Sequence, residues 1–308
     1  MPGLLSWRRH SRACRAFRNR NSQIHSASAE SPLSSANHGM LIDVRTRFAP
    51  TPSGYLHAGN LVNAQVTSWL ARQHGGQLAL RIDDDDRERH QPEYVEYIFS
   101  ALDALQIDWQ IGPPSLGEFL QCNVRFRHRY LHNQLSLLPE DLTYACECTR
   151  TLLVERPCPC RALHLPHTEG ETVLRVFVPD DCVVDVNGQP VLVKLQLGDF
   201  VLWRRDGIPA FHWANVIDDR DLGTTHVVRG TDLQMATAAH IYLARLIGAD
   251  RVANATYLHH ALVRGADGRK LSKSRLATAA PPILDARMIQ RIQSLARTVA
   301  EPLGIRPS

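Results

Sequence analysis

Lysine is nearly absent from this chain. Of its 35 basic residues only three are lysine, Lys194, Lys270 and Lys273, and arginine serves wherever else a cation stands. Long apolar runs are missing as well. Nothing approaches the roughly 20 consecutive apolar residues of a membrane span, so a membrane is not among the expected partners. Internal repeats and a glycine-rich phosphate loop of the Walker type are also absent, which removes the solenoid and P-loop classes. Nor is there a global cationic field. The formal charge is +4, but residues 1–39 carry six arginines (Arg8, Arg9, Arg12, Arg15, Arg18, Arg20) against Glu30, so everything after sums to −1. Contact with nucleic acid by the folded body must rely on local patches.

What is present begins with that head. It is rich in arginine and serine and has no sustained apolar period, so residues 1–39 are expected to be disordered. A mitochondrial transit peptide has this composition. An unstructured extension ahead of a start at Met40 has it too, and since nothing else points to an organelle, a cytoplasmic setting is expected. The remaining chain, in a sequence 44% hydrophobic, can bury a substantial core.

Periodicity organises the rest. Arg45–Ala49 reads as a short strand, followed by a Pro/Gly loop and a helix from about Asn60 to Gln73. "QLALRI" (Gln77–Ile82) reads as a buried parallel strand ending in the acids Asp83–Asp86. Pro92–Leu105 has helical spacing, with Tyr94, Ile98, Leu102 and Leu105 on one face. This order predicts a doubly wound α/β sheet with its site at the carboxyl ends of the strands. The middle differs: "TVLRVFV", "PVLVKLQL" and "DFVLWRR" are β-type runs, with "NGQP" as a turn. "TTHVVRG" (Thr224–Gly230) resumes a core strand, Met235–Ile247 a helix, and an amphipathic helix runs from Pro281 to about Ala300. The expected division is 1–39 extension, 40–140 first half of a nucleotide-binding domain, 141–200 insertion, 201–280 second half, and 281–308 terminal helix and tail.

Two short motifs carry chemistry. In "TPSGYLHAGN" an imidazole, His57, sits at the mouth of a helix beside Gly59. Free N–H groups and the positive end of the helix dipole suit a phosphate chain there. About two hundred residues later, two of the three lysines share the pentapeptide "KLSKS". A compact ammonium on a loop is suited to neutralising charge that develops on a phosphate.

Together, "RFAPTPSGYLHAGN" and "KLSKS" resemble the two signatures of class I aminoacyl-tRNA synthetases, in the form used by the glutamyl and glutaminyl group. "RIDDDD", "RRDGIPAFHWANVIDD" and "THVVRGTDL" are similar to that group's amino-acid pocket segments, in the same order, so the resemblance covers about residues 45–276. It implies a Rossmann-like catalytic domain that adenylates an amino acid with ATP and Mg²⁺ and passes the acyl group to tRNA. By the same resemblance, Pro50, His57, Gly59, Asn60, Lys270, Ser272 and Lys273 bind ATP, with His57, Asn60, Lys270 and Lys273 catalytic. Arg47, Phe48, Ala49, Pro50, Thr51, Asp83, Phe211 and Arg229 are implied to hold L-glutamate. Asp83 stands where the family has Glu, and Phe211 where it has Tyr. A strand-end turn acid and a core aromatic are the plainer readings of these two.

Cys146, Cys148, Cys158 and Cys160 form C-x-C and C-x-C with nine residues between. Four thiolates so close in a reducing compartment point to tetrahedral structural Zn²⁺. The group resembles the zinc element in the acceptor-stem region of glutamyl-type enzymes. Some relatives use Tyr where this chain has Arg156, and Cys158 is the substitute. Cys14, Cys122 and Cys182 follow no pattern.

About thirty residues follow "KLSKS", fewer than an anticodon-reading helical domain needs. Shortened members of the group, the glutamyl-queuosine tRNA(Asp) synthetases, glutamylate queuosine in the anticodon. "VRGTDLQMATAAHIYLARLIG" resembles them more than the full-length enzymes. The expected partners are therefore glutamate, ATP and queuosine-bearing tRNA(Asp), with the chain a monomer. Another adenylating enzyme on the same scaffold, or a non-catalytic tRNA-binding relic, remains as an alternative.

Overall fold

The computed structural model describes residues 43–83, 91–121, 124–264 and 281–308. Four parallel strands form its centre. β1 (Arg45–Phe48) pairs with β2 (Gln77–Leu80), and β8 (His226–Gly230) pairs with β9 (Thr256–His260). The two pairs join where Thr225 N–H donates to Arg45 O (2.9 Å), giving the order β2, β1, β8, β9. Helix α1 (Ala58–Gln73) connects β1 to β2, and α2 (Pro92–Ala104) follows β2. Parallel strands with helical crossovers in this order are the expected doubly wound arrangement.

Two short helices, α3 (Leu116–Gln121) and α4 (Val124–Asn133), lead to a small antiparallel sheet. In it β4 (Val173–Val176) lies between β3 (Thr143–Cys146) and β7 (Val201–Trp203). Helices α5 (Arg150–Glu155) and α6 (Cys160–Leu163) fall between β3 and β4. A hairpin, β5 (Val183–Val186) and β6 (Gln189–Leu192), turns through Asn187 and Gly188 at φ 56° and 75°, the left-handed pair an Asn-Gly hairpin turn requires. "PVLVKLQL" is not one strand as read from its β-branched residues. It splits into β6 and a short helix, α7 (Val193–Leu197), because Val193 packs into the core while Leu195 stays exposed.

Helix α8 (Phe211–Leu222) was not legible as a helix, for its buried face is nearly the whole circumference. It packs beside α9 (Gln234–Leu246), and α10 (Asp250–Ala253) follows. The hairpin, β7, α8 and α9 share one apolar core around Trp213, Leu202 and Val184. A second core under β1 and β2 is completed by α11 (Ala286–Ala300), which buries Ile292, Ala296 and Ala300. Among the described residues no helix is long and apolar enough to cross a membrane.

Candidate functional site

The imidazole between the two glycines is a helix cap. His57 precedes α1 in extended conformation, and its Nδ1 accepts the Asn60 backbone N–H (3.3 Å). In return the Asn60 side-chain Oδ1 accepts the His57 N–H (3.2 Å), a reciprocal capping box. Because Nδ1 accepts, the neutral ring carries its proton on Nε2. Gly59 explains itself in the same turn. A Cβ there would lie 3.0 Å from His57 Cε1 and 3.1 Å from Nδ1, so the missing side chain makes room for the ring.

The ladder continues past β1 and β2: Arg81 N–H donates to Phe48 O (3.0 Å) and Asp83 N–H to Pro50 O (2.9 Å). That brings the acidic end of β2 beside the loop carrying Thr51. Below it lies a buried charge network. Arg47 Nε donates to Asp219 Oδ1 at 2.9 Å, with Arg47 5% and Asp219 2% exposed. Arg81 Nη1 donates to the same oxygen (2.9 Å), and its Nε and Nη2 grip the two oxygens of Asp83 (2.7 and 3.1 Å). In the orientation its neighbours dictate, the Asn215 amide donates to Asp219 Oδ2 (3.2 Å) and accepts from Arg81 Nη2 (2.6 Å). Burial alone would raise the Asp219 pKa, but Arg47, Arg81 and Arg229 together hold it below the usual value.

Arg229, on β8, is different. It is 4% exposed, and its Nη1 donates to Thr237 Oγ1 and to His240 Nδ1, both at 3.3 Å. Its guanidinium also lies 5.5 Å above the Tyr257 ring. Among the described residues no carboxylate lies in ion-pair contact with it. Burial, then the nearby Arg47 charge, lowers its pKa to about 9. A buried cation held by neutral partners is poised to take a carboxylate from outside the chain.

Arg47, Asn215 and Arg229 line one cavity of about 450 Å³, together with Phe48, Ala49, Pro50, Thr51, His57, Gly59, Asn60, Asp83 and Phe211. The structure thus brings the first motif and every residue of the expected amino-acid pocket together. Two plainer readings change. Phe211 is no core aromatic: it opens α8 at 47% exposure, with its ring 5.4 Å from that of His240. Asp83 is more than a turn acid, since both its oxygens are taken by Arg81. Lys270, Ser272 and Lys273 lie outside the described residues. Sequence reading missed Arg81, Asn215 and Asp219. Their signal was two adjacent aspartates inside the apolar run "HWANVIDD", which demands buried cationic partners.

The four cysteines gather at the end of β3 and the start of α6. Cys146 Sγ lies 3.6 Å from Cys158 Sγ, and Cys148 Sγ lies 3.9 Å from Cys158 and 3.5 Å from Cys160. All four sulfurs fall within 4.8 Å of one another, and no disulfide joins them. Zn–S bonds of about 2.3 Å in a tetrahedron set sulfur–sulfur edges of about 3.8 Å. The donor set and its spacing fit that ion.

The fold and the histidine-capped turn define a catalytic domain of the class I synthetase type. Residues 43–157 and 162–284 match the family model described as tRNA synthetases class I (E and Q), catalytic domain, and the chain belongs to that family. Glutamate–tRNA ligase 1 of Alkalilimnicola ehrlichii is 38% identical over 249 residues, covering 75% of this chain and 50% of the relative. Glutamate–tRNA ligase 1 of Nitrosococcus oceani is 36% identical over 248 residues, with coverage of 75% and 50%. A glutamate tRNA ligase structure from Elizabethkingia meningosepticum, in complex with its amino acid, aligns with TM-score 0.61 at 28% identity, over 78% of this chain and 54% of that one. A glutamate-tRNA synthetase from Elizabethkingia anophelis aligns with TM-score 0.60 at 27% identity, over 75% and 53%. The chain spans about half the length of the curated relatives it matches.

Proposed function

We propose that this chain activates L-glutamate with ATP and Mg²⁺, giving glutamyl-adenylate and pyrophosphate, and passes the glutamyl group to queuosine in the anticodon of tRNA(Asp). The observation that carries the activation step is Arg229, a buried arginine without a carboxylate partner among the described residues, sharing a cavity with the capped turn of α1. In this reading Arg229 and the free end of Arg47 take the carboxylates of glutamate. Phe48, Ala49, Pro50 and Thr51 form one wall, Phe211 stacks over the chain of the substrate, and Asp83 receives the α-amino group. His57 Nε2–H, the turn at Pro50, Gly59 and Asn60 hold the phosphates of ATP. Lys270, Ser272 and Lys273 bind ATP as well, with Lys270 and Lys273 offsetting charge in the transition state. Catalysis is then positioning and electrostatics, with no covalent nucleophile.

The queuosine acceptor is supported by the likeness of residues 228–248 to glutamyl-queuosine enzymes. The names of the relatives favour a second reading, in which the acyl group goes to the 3′ end of a glutamate tRNA. Cys146, Cys148, Cys158 and Cys160 hold one structural Zn²⁺, which supplies local folding energy. The chain works as a monomer in a reducing, cytoplasmic setting. ATP–pyrophosphate exchange with glutamate, without tRNA, tests activation. Transfer of labelled glutamate to tRNA(Asp) with or without queuosine, against tRNA(Glu), separates the two acceptors. Exchange with another amino acid in preference to glutamate refutes the substrate assignment.

A further inference from the structure

The neutral groups that hold Arg229 form a defined chain of hydrogen bonds. An arginine only donates, so His240 Nδ1, 3.3 Å from Arg229 Nη1, is an acceptor and the His240 proton sits on Nε2. Thr237 Oγ1 also accepts from Arg229 Nη1, and gives its own proton to Leu233 O (3.1 Å). His259 Nε2, 2.9 Å from Thr237 Oγ1, must then be the donor of that pair. Its Nδ1 is left to accept, and the Asn187 side-chain Nδ2 donates to it at 3.0 Å. Each of these links pairs one donor with one acceptor and so fixes the tautomers of His240 and His259. The His240 Nε2–H and the Arg229 Nε–H stay buried without a hydrogen-bond partner among the described residues. The outer end, Asn187, is exposed at the tip of the β5–β6 hairpin. The inner end is the buried arginine of the cavity.

We propose that His240 and His259 are positioning residues for Arg229, and that the chain Asn187–His259–Thr237 ties the aim of that guanidinium to the hairpin tip. The His240 imidazole, accepting through Nδ1, stands where a carboxylate could have stood. It orients the cation without neutralising it, so the charge stays available for a ligand, while His259 acts one step back by donating to Thr237. A carboxylate in place of His240 would hold Arg229 more firmly and leave less of its charge for a substrate. The functional half of this rests on the glutamate reading above. The structural half stands without it.

The test uses the full chain and three variants. His240→Leu removes the acceptor, and His240→Asn restores one where Nδ1 stood. Asn187→Gly keeps the left-handed turn and deletes only the outer donor. The expected result is a KM for glutamate raised roughly tenfold in His240→Leu and several-fold in Asn187→Gly. KM for ATP and kcat should move less than about twofold, and His240→Asn should recover most of the loss. Equal changes in both KM values, or no change in a folded His240→Leu, overturn the positioning role. Separately, ¹⁵N spectra of histidine-labelled protein should show His240 and His259 protonated on Nε2. Protonation of either on Nδ1 refutes the chain of hydrogen bonds, and this readout decides it even if the wild type exchanges no glutamate, the result that would sink the glutamate reading instead.

Discussion

His57 and Asn60 cap each other: the ring Nδ1 accepts the Asn60 backbone N–H, and the Asn60 amide oxygen accepts the His57 N–H. The imidazole is thereby fixed in rotation and tautomer before any ligand arrives.

Gly59→Ala tests that arrangement. The new Cβ falls 3.0 Å from His57 Cε1, so the ring must give by a few tenths of an ångström. ATP-dependent exchange should fall by on the order of tenfold, less than the roughly hundredfold that a full ångström of misplacement can cost. The melting temperature should fall only by the loss of a cap, about 1 kcal/mol. A variant with near-normal exchange would remove the His57 ring from ATP binding.

Cys158→Ala should lower zinc content and melting temperature together, because metal binding and local folding are one equilibrium. Cys158 is the half-buried member of the four, so its truncation leaves the apolar packing around Cys146 and Cys160 in place. Metal analysis of protein purified without chelator should give one zinc per chain; none at all would end the zinc assignment.

Lys273→Ala should slow adenylation by on the order of 10²–10³ while leaving the fold intact, as removal of one transition-state donor does elsewhere. Single-turnover exchange measures it. A near-normal rate takes Lys273 out of the mechanism.

Asp83→Glu combined with Phe211→Tyr should lower KM for glutamate with little effect on kcat, the mark of ground-state binding. The longer carboxylate reaches about 1.5 Å further into the cavity, one carbon–carbon bond, though it must keep its grip on Arg81 to do so. The added hydroxyl contributes on the order of 1 kcal/mol if it finds a partner. A raised KM would show that Asp83 serves Arg81 rather than the substrate.

Acid should unfold this protein early. Burial, with Arg229 beside them, lowers His212 and His259 to about 4 and puts His240 well below its ordinary value. The unfolded chain takes up these protons near pH 6.5, whereas the folded chain takes those of His212 and His259 only near 4 and resists that of His240 still further, so stability falls as pH falls through that window. Asp218, raised to about 6 mainly by burial despite Arg127 and Arg81, acts in the opposite sense over the same range. Three histidines outweigh it. Urea midpoints between pH 7.5 and 4.5 measure the slope, and His212→Gln should flatten it. An unchanged slope would show that His212 does not enter the folded state neutral.

Much of this was written plainly in the chain. The strand Arg45–Phe48, the capped turn and α1 were legible because Pro, Gly and a helical period leave few alternatives. The cysteine cluster was legible from spacing alone. What escaped was set by tertiary contact. Helix α8 hides its period because neighbours cover Trp213, Val216 and Asp219 alike. The neutral acceptors of Arg229 come from α9, and the groups linked behind them from β9 and the hairpin, elements that approach only in three dimensions. No local pattern announces them.

Helix α11 has a consequence for how the chain is made. It covers α1, the helix whose first turn holds His57, and the C-terminal end of that contact is pinned by Gln73, which donates to Gly304 O and accepts from Arg306 N–H. Those partners stand 231 and 233 residues further along. During synthesis the apolar flank of α1 therefore waits, uncovered, until more than two hundred further residues have been added. A nascent chain folds from its leading end, yet the cover of this helix comes from a distant segment. Until that segment emerges, the flank is open to chaperone capture.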